Sequence, residues 1–478
     1  MNIGGLQRSS VAGQGMNCEK LCRLLKYIRS NPQKLQSLLI LKNGHVVTEL
    51  YSYPFHPGVV RYLNCCTASV ISALVGIALE EGLIGGVEEK IAKYFPEYGF
   101  ASDDPRKADI TIEHLLQMST GLKWDDTGVV FGEKSYDFKL NNSEEPVRFI
   151  LEQPMTEEPG KRYNHCAGAP HLLSAIVQRV SGMGAGAYAE EKLFKPLEIA
   201  EYEWYCDKKG INAGMNGLSL TVESLAKIGQ LFLQKGCWER GRIIPESWII
   251  QSTRKRVDTN GTWSFYGGGY LWQISRFGGY FTKGVSGQYL AVVPNLNLVV
   301  AMIADLPIEE LFWPDTLMET FILPAARIPG NSRDNLLYQE MLGALADELN
   351  RAPKAKTVPP LPATASKISG KEFVFAQKDG FESVVLDFAS KDQCLLKVRE
   401  KEYLFEASVG LDDVYRISKR SALKGCWKDT KTFIVTEWQL GYNYVKEFIF
   451  TFDGDKMSYT VSSPAQEECC KAEGGRTV

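Results

Sequence analysis

The apolar positions change period several times along the chain, and each change predicts an element. Residues 18–30 carry apolar side chains at helical spacing, and then LQSLLILK and HVVTELYSY stand on either side of Asn43-Gly44. Asn-Gly between two β-type runs is the strongest short-range hairpin signal, because the tight turn needs φ > 0 at both central residues. Residues 67–81, TASVISALVGIALEE, are close to continuously apolar or small, which predicts a helix buried on most sides. Further helical patterns cover 110–124, ended by Gly121, then 170–180, opened by Pro170 and stopped near Gly182, and 222–235. From Tyr266 the period shortens: four strand-like runs separated by Gly-Gly, Gly-Val-Ser-Gly and Pro-Asn-Leu-Asn predict an antiparallel meander, followed by a short helix over 314–323. Strands at both ends of a mostly helical stretch predict an α+β domain in which the first hairpin and the late meander share one sheet.

A further helical pattern over 335–350 leads into RAPKAKTVPPLPA, where Pro353, Pro359, Pro360, Pro362 and the basic residues mark a linker over 353–365. Beyond it, β-rich runs alternate with turns at Asp379-Gly380 and Asp453-Gly454, predicting a separate antiparallel β domain over 366–478, lipocalin-like or barrel-like. The closing EECCKAEGGRTV reads as a frayed tail. The expected organisation is therefore a domain over 1–352, the linker, and the β domain.

Composition narrows the function classes. The 478 residues carry 54 basic and 57 acidic side chains, a net charge of −3, which gives no electrostatic reason to expect nucleic acid or an anionic membrane as partner. The 11 cysteines are odd in number and scattered, without paired CxxC spacing, so neither a zinc site nor a disulfide framework is expected. Cys18 and Cys22 fit two apolar positions one helical turn apart. The start of the chain has no basic region followed by an apolar one, and no run approaches 18 apolar residues; the expectation is a reduced, cytoplasmic protein with free thiols.

Five blocks now carry a resemblance: NCCTASVISALVGIALEEGLI, ITIEHLLQMSTGLKWDD, EPGKRYNHCAGAPHLLSAIVQRVSG, GLSLTVESLAKIGQLFLQKG and FTKGVSGQYLAVVPNLNLVV. In this order and spacing the chain resembles the serine β-lactamase and penicillin-binding-protein-like hydrolases over residues 35–321. Within these it is most similar to the branch of class C-type esterases and 6-aminohexanoate-dimer hydrolases. The C-terminal β domain resembles an appendage found on members of that branch. The resemblance implies a β-lactamase/transpeptidase-like fold, acyl-transfer chemistry without a metal or other cofactor, and a small-molecule or peptide acyl substrate, free or carrier-bound.

It also implies catalytic motifs from which this chain departs. In the family a Ser-x-x-Lys tetrad opens the central helix and supplies the nucleophile and its base; here Cys65-Cys66-Thr67-Ala68 stands there, with Cys65 at the serine position. The family's Tyr-x-Asn is replaced by His165-Cys166-Ala167. The third motif best matches Val285-Ser286-Gly287-Gln288, with Thr282-Lys283-Gly284 as the alternative register. The family's oxyanion hole takes one N–H from the nucleophile and one from the residue after the third motif's last glycine, which assigns Cys65 and Gln288. Lys283 is either a cation in the cleft or a solvated strand residue. Trp124-Asp125-Asp126 and Tyr136 fall where the family shapes its cleft rim.

Two readings follow from the same substitutions. Losing Ser, Lys, Tyr and Asn together removes the family's mechanism and describes a decayed enzyme kept as a binding module. Alternatively the chemistry has changed type: a hydroxyl needs a strong adjacent base, whereas a thiol, with a reference pKa of about 8.5, needs far less help. At a helix N-terminus and paired with a histidine, a cysteine can fall to a pKa of roughly 3.5–7.5, so Cys65 and His165 make a candidate nucleophile and base. A third possibility is a thiol redox protein using Cys65 with Cys66 or Cys166. Cys66 is otherwise expected in the core and Cys166 in the cleft wall. His171 is expected to be core-packed or exposed, or else a second base, and His45, His56 and His114 are assigned no chemistry.

Overall fold

The computed structural model describes residues 5–31, 34–99, 103–125, 133–239, 241–259, 261, 264–330, 332–375, 380–401, 403–418, 420–442, 444–463 and 466–476, the last eleven together with 332–334 and 463 by backbone only. The chain divides into two compact units: Met1–Leu50 with Tyr62–Leu349, and Tyr51–Arg61 with Asn350–Val478.

The first unit is built on a seven-stranded sheet. Its strands are β1 (Gln7–Arg8), β2 (Leu35–Lys42), β3 (His45–Tyr51), β4 (Gln273–Ile274), β5 (Tyr280–Lys283), β6 (Tyr289–Val293) and β7 (Leu298–Ala304), in the spatial order β1-β3-β2-β7-β6-β5-β4. The hairpin and the meander thus share one sheet, joined where β7 runs antiparallel to β2 with Val300 opposite Ile40. Asn43 and Gly44 take φ of 52° and 79°, the left-handed pair that their turn requires.

Both faces of this sheet are covered, which is why its central strands read as continuous apolar runs. On one face, Leu38, Ile40, Tyr289, Val300 and Met302 pack against helix α1 (Cys18–Arg29) and against Leu317, Met318 and Leu342. On the other lies a helix over Val222–Leu233, whose Gly229 lets it close on the sheet: a Cβ there would sit 2.7 Å from Leu290 and Val299.

Helix α2 (Cys66–Glu80) is the centre of the helical part. Every residue from Cys66 to Ala78 is buried, so it has no solvent face. Gly76 allows Trp248 to cross it, since a Cβ would lie 2.3 Å from the indole. The expected helix over 110–124 is only one turn, α3 (Ile112–Leu116), because Met118 and then Gly121 adopt left-handed φ of 53° and 77°. Helix α4 (Gly168–Ser181) begins two residues before Pro170, which takes a first-turn position where no N–H is needed, and it ends on left-handed Gly182.

The second unit is a ten-stranded sheet: β8 (Glu372–Phe375), β9 (Ser383–Asp387), β10 (Gln393–Glu400), β11 (Tyr403–Gly410), β12 (Arg416–Ile417), β13 (Ser421–Trp427), β14 (Thr432–Gln439), β15 (Tyr444–Asp453), β16 (Lys456–Ser463) and β17 (Gln466–Arg476). Their order is β11-β10-β9-β8-β17-β16-β15-β14-β13-β12, and a β11–β13 pairing brings the ends together into a barrel-like form. Alternating residues such as Leu396, Val398, Phe433 and Val435 fill its interior.

Three features of this unit depart from the sequence pattern. The expected frayed tail is β17, paired with β16 and β8; its charged and glycine-rich composition hides a strand whose ladder partners are supplied by two neighbours. Val358 and Leu361, in the proline-rich stretch, pack against the barrel core. Residues Tyr51–Arg61 belong to this unit, with Phe55 and Val59 packed on Ala422 and Leu440. Asp379 lies outside the described residues, while Gly454 turns β15 into β16 at φ 61°. Among the described residues no helix is long and apolar enough to cross a membrane.

Candidate functional site

The site is assembled where α2 meets the end of β5. Asn64 adopts a left-handed φ of 48°, and the chain then tightens through Cys66 N–H to Leu63 O (3.2 Å) and Ala68 N–H to Cys65 O (3.2 Å). Cys65 is the N-cap residue of α2, partly exposed, and forms no side-chain capping bond. This turn is tied to the loop after β5 by Asn64 Nδ2 donating to Gln288 Oε1 at 3.0 Å. Gly284 permits the approach: a Cβ there would lie 2.8 Å from the Asn64 Cβ and 3.0 Å from the Leu63 carbonyl. Val285 follows, and its backbone N–H, with that of Cys65 itself, faces the Cys65 sulfur.

The second donor at the sulfur is therefore Val285, the residue that follows Thr282-Lys283-Gly284. Gln288, expected from sequence to supply an oxyanion N–H, instead accepts from Gly284 N–H through its carbonyl (2.9 Å) and from Asn64 through its side chain. Ser286 and Gly287 form the connecting turn, with Ser286 O accepting from Leu306 N–H and Gly287 N–H donating to Gly284 O.

Cys65 opens onto a narrow cavity with a free volume of about 20 Å³, which His165, Tyr163, Ala68, Trp272, Gln273 and Thr282 help to line. Ala68, on the same cavity, brings no ammonium group. Lys283 borders the cavity, but its ammonium is held by Asp315 at 3.2 Å and lies 3.7 Å from the Phe312 ring centroid. Adjacent strand residues point to opposite faces, so Thr282 turns toward α2 and hydrogen-bonds the Cys66 thiol, while Lys283 turns to the covered face. Lys283 is thus neither a free cleft cation nor solvated; its side chain is 1% exposed.

Electrostatics at the site run opposite to the expected thiolate–imidazolium pair. Burial pushes the Cys65 thiol well above its ordinary value, the Asp137 carboxylate and Cys66 push it further, and the two backbone N–H groups only partly offset this. Burial lowers His165 to about 4. Both groups are therefore neutral at pH 7, because desolvation outweighs the helix N-terminus. Burial also raises the Tyr163 phenol, with Cys65 and Cys166 adding to the effect, so it stays protonated.

The remaining candidates fall into place around this centre. Trp124 is buried and packs on Tyr136 (centroids 5.1 Å apart) and Phe149 (6.1 Å), a wall behind the site rather than part of the cavity lining. Asp126 lies outside the described residues. Cys66 and Cys166 are each 1% exposed, and all nine described cysteines are free thiols. His171 is core-packed, its Nε2 3.0 Å from Asp207 Oδ2. Sequence reasoning missed Tyr163, Asp137 and Gln273, and placed Val285 in the third motif without giving its N–H a role. Tyr163 stood two residues from His165 and Val285 one residue past the alternative third motif, whereas nothing local marked Asp137 or Gln273.

A cysteine opening a buried central helix, beside a sheet strand whose following N–H faces its sulfur, fits a hydrolase fold of the β-lactamase-like class. Residues 36–311 match the Beta-lactamase family, and the chain belongs to it, within the wider superfamily of hydrolases and esterases. It is 22% identical over 299 residues to 6-aminohexanoate-dimer hydrolase from Paenarthrobacter ureafaciens, covering 58% of this chain and 73% of that protein. Among solved structures, EstCE1, a hydrolase with promiscuous acyltransferase activity, superposes with a TM-score of 0.53 at 13% identity, over 64% of this chain and 99% of its own. SurE with D-Leu superposes with a TM-score of 0.52 at 15% identity, over 96% of this chain and 99% of its own.

Proposed function

We propose that the chain is an acyl-transfer enzyme in which Cys65 replaces the family's serine and acts on an amide, ester or thioester of a small-molecule or peptide acyl group. The observation that carries this reading is the pair of backbone N–H groups, from Cys65 and Val285, directed at the sulfur. Donors so placed also face the carbonyl oxygen of a substrate whose carbon lies on that sulfur. The Cys65 S–H transfers its proton to neutral His165 as sulfur attacks the carbonyl carbon. The tetrahedral oxyanion is held by the two N–H groups, and the leaving group departs with the proton from His165. The acyl-thioenzyme is then resolved by water or by a second nucleophile. Without Lys or Tyr in the family positions, β-lactam hydrolysis by the serine mechanism is not part of this reading.

A second reading, a non-catalytic binding module, is favoured by one observation: thiol and imidazole are both neutral, beside a cavity of only about 20 Å³. One experiment separates the two. The full chain is incubated with p-nitrophenyl acetate and with an alkyl thioester, then examined by intact mass and peptide mapping. The enzyme reading expects one acyl group, on Cys65, absent from Cys65→Ala. Unmodified Cys65 under both reagents, with no product release above the Cys65→Ala background, overturns it.

A further inference from the structure

The two N–H groups that face the Cys65 sulfur come from elements far apart in the chain, the turn before α2 and the turn after β5, and one residue ties these together. Gln288 is 3% exposed. Its carbonyl accepts from Gly284 N–H at 2.9 Å and so closes the turn that presents Val285. Its side-chain oxygen accepts from Asn64 Nδ2 at 3.0 Å and so grips the residue before Cys65. Gly284 clears the space for this acceptor, since a Cβ there would lie 2.4 Å from Gln288 Oε1. Asn64 holds a left-handed φ of 48°, a conformation that asparagine tolerates and that turns the chain into Cys65 at the start of α2. The Cys66 thiol adds a second tie, to Thr282 and to the Gly284 backbone, but a thiol is a weak hydrogen-bonding group beside a pair of amides.

We infer that Gln288 is a positioning residue for the two donors. Through Asn64 and Gly284 it fixes the separation and direction of the Cys65 and Val285 N–H groups, and with them how firmly a developing oxyanion is held. The inference rests on the proposed function for its catalytic consequence, while the tie itself stands on the hydrogen-bond geometry. Donors organised in advance around an oxyanion stabilise the transition state more than bound substrate, so losing the tie lowers the rate of the chemical step rather than the affinity. Small displacements are enough, because a misplacement of about 1 Å can cost on the order of 10²-fold in rate.

Two measurements on the full chain test it. Gln288→Met keeps the length of the side chain and removes the acceptor; Asn64→Gly keeps the left-handed backbone and removes the donor. In amide hydrogen exchange read by mass spectrometry, peptides covering 62–68 and 283–288 carry the bonded turn N–H groups of Cys66, Thr67, Gly284 and Gly287. Both regions should exchange about fivefold faster in each variant, the effect of one net hydrogen bond, with peptides of the barrel unchanged. Wild-type exchange in both regions overturns the inference whether or not Cys65 is ever acylated. In the second measurement, the rate at which p-nitrophenyl acetate acylates Cys65 is divided by the rate at which iodoacetamide alkylates it at the same pH. Alkylation passes through no oxyanion, so the ratio cancels changes in thiol ionisation and access and leaves the contribution of the two donors. Removing an oxyanion donor outright costs about 10²–10³-fold, and the variants displace a donor rather than remove it, so the ratio should fall about tenfold in each. The loss should lie in the burst rate at saturating ester, with the half-saturating concentration changed less than about twofold, and the double variant should lose no more than either single one. An unchanged ratio, a loss in affinity alone, or additive losses in the double variant overturn the assignment. Faster exchange in the variants without any acylation of the wild type refutes the proposed function and leaves the tie between the two turns standing.

Discussion

The neutral imidazole of His165 has a consequence that can be measured without a substrate. Burial lowers the ring from its ordinary value of about 6.5 to about 4. Above pH 6.5 the ring is neutral in both folded and unfolded chains and adds no pH dependence. As pH falls from 6.5 toward 4 the unfolded chain takes up a proton that the folded chain refuses, so folding stability falls. At 1.36 kcal/mol per pH unit over that interval, the loss reaches about 3 kcal/mol and levels off below about pH 4. The chain has five histidines, few enough to follow each ring proton by NMR and to identify His165 from the signal missing in His165→Gln. The expected midpoint is near 4, well separated from that of an exposed histidine. In urea unfolding, the wild type should lose about 3 kcal/mol relative to His165→Gln between pH 7 and pH 4 in the transition of the first unit. Under the proposed function, acylation should keep its rate down to about pH 4–5, since the neutral base persists there. A His165 midpoint of 6 to 7, or parallel pH slopes in the two proteins, would refute the reasoning that desolvation dominates this site.

Other outcomes follow from the same structure. Asp137→Asn removes the carboxylate that, after burial, contributes most to raising the Cys65 thiol, so iodoacetamide should alkylate Cys65 several-fold faster at pH 8 with a lower pH midpoint; peptide mapping against time reads both, and an unchanged rate sinks the assignment. Gly214→Ala would place a Cβ 2.0 Å from the Pro170 carbonyl oxygen and 2.5 Å from His171 N, both backbone atoms of the first turn of α4, so about 3 kcal/mol of stability should be lost, read from the urea midpoint at constant slope. Burial alone would raise Asp207, but His171 and the N–H groups of Ile211 and Lys209 outweigh it and hold the carboxyl below its ordinary value. Its contribution is therefore present at neutral pH and lost in acid as the carboxyl is protonated, and Asp207→Ala should cost about 3 kcal/mol at pH 7, with the difference from wild type shrinking toward pH 2.

The sequence by itself determined what short-range physics controls. Asn43-Gly44 specified a turn that only left-handed residues make, and the change from helical to two-residue period near Tyr266 announced the meander. The apolar run over 67–81 announced a helix with no solvent face, with Cys65 at its N-terminus. The spacing of five blocks was enough for the family. Tertiary structure decided the rest, because the deciding neighbours are far away in sequence. Left-handed backbone at Met118 cut one predicted helix to a turn, and two barrel neighbours turned a charged tail into a strand. Strand register placed Thr282 on the site's face and gave Lys283 to Asp315, and it put Val285 rather than Gln288 at the sulfur. A helix N-terminus read alone predicts a thiolate at Cys65. The packing of the cavity walls and the nearby Asp137 reverse that, since removing a charge from water costs more than one helix end returns.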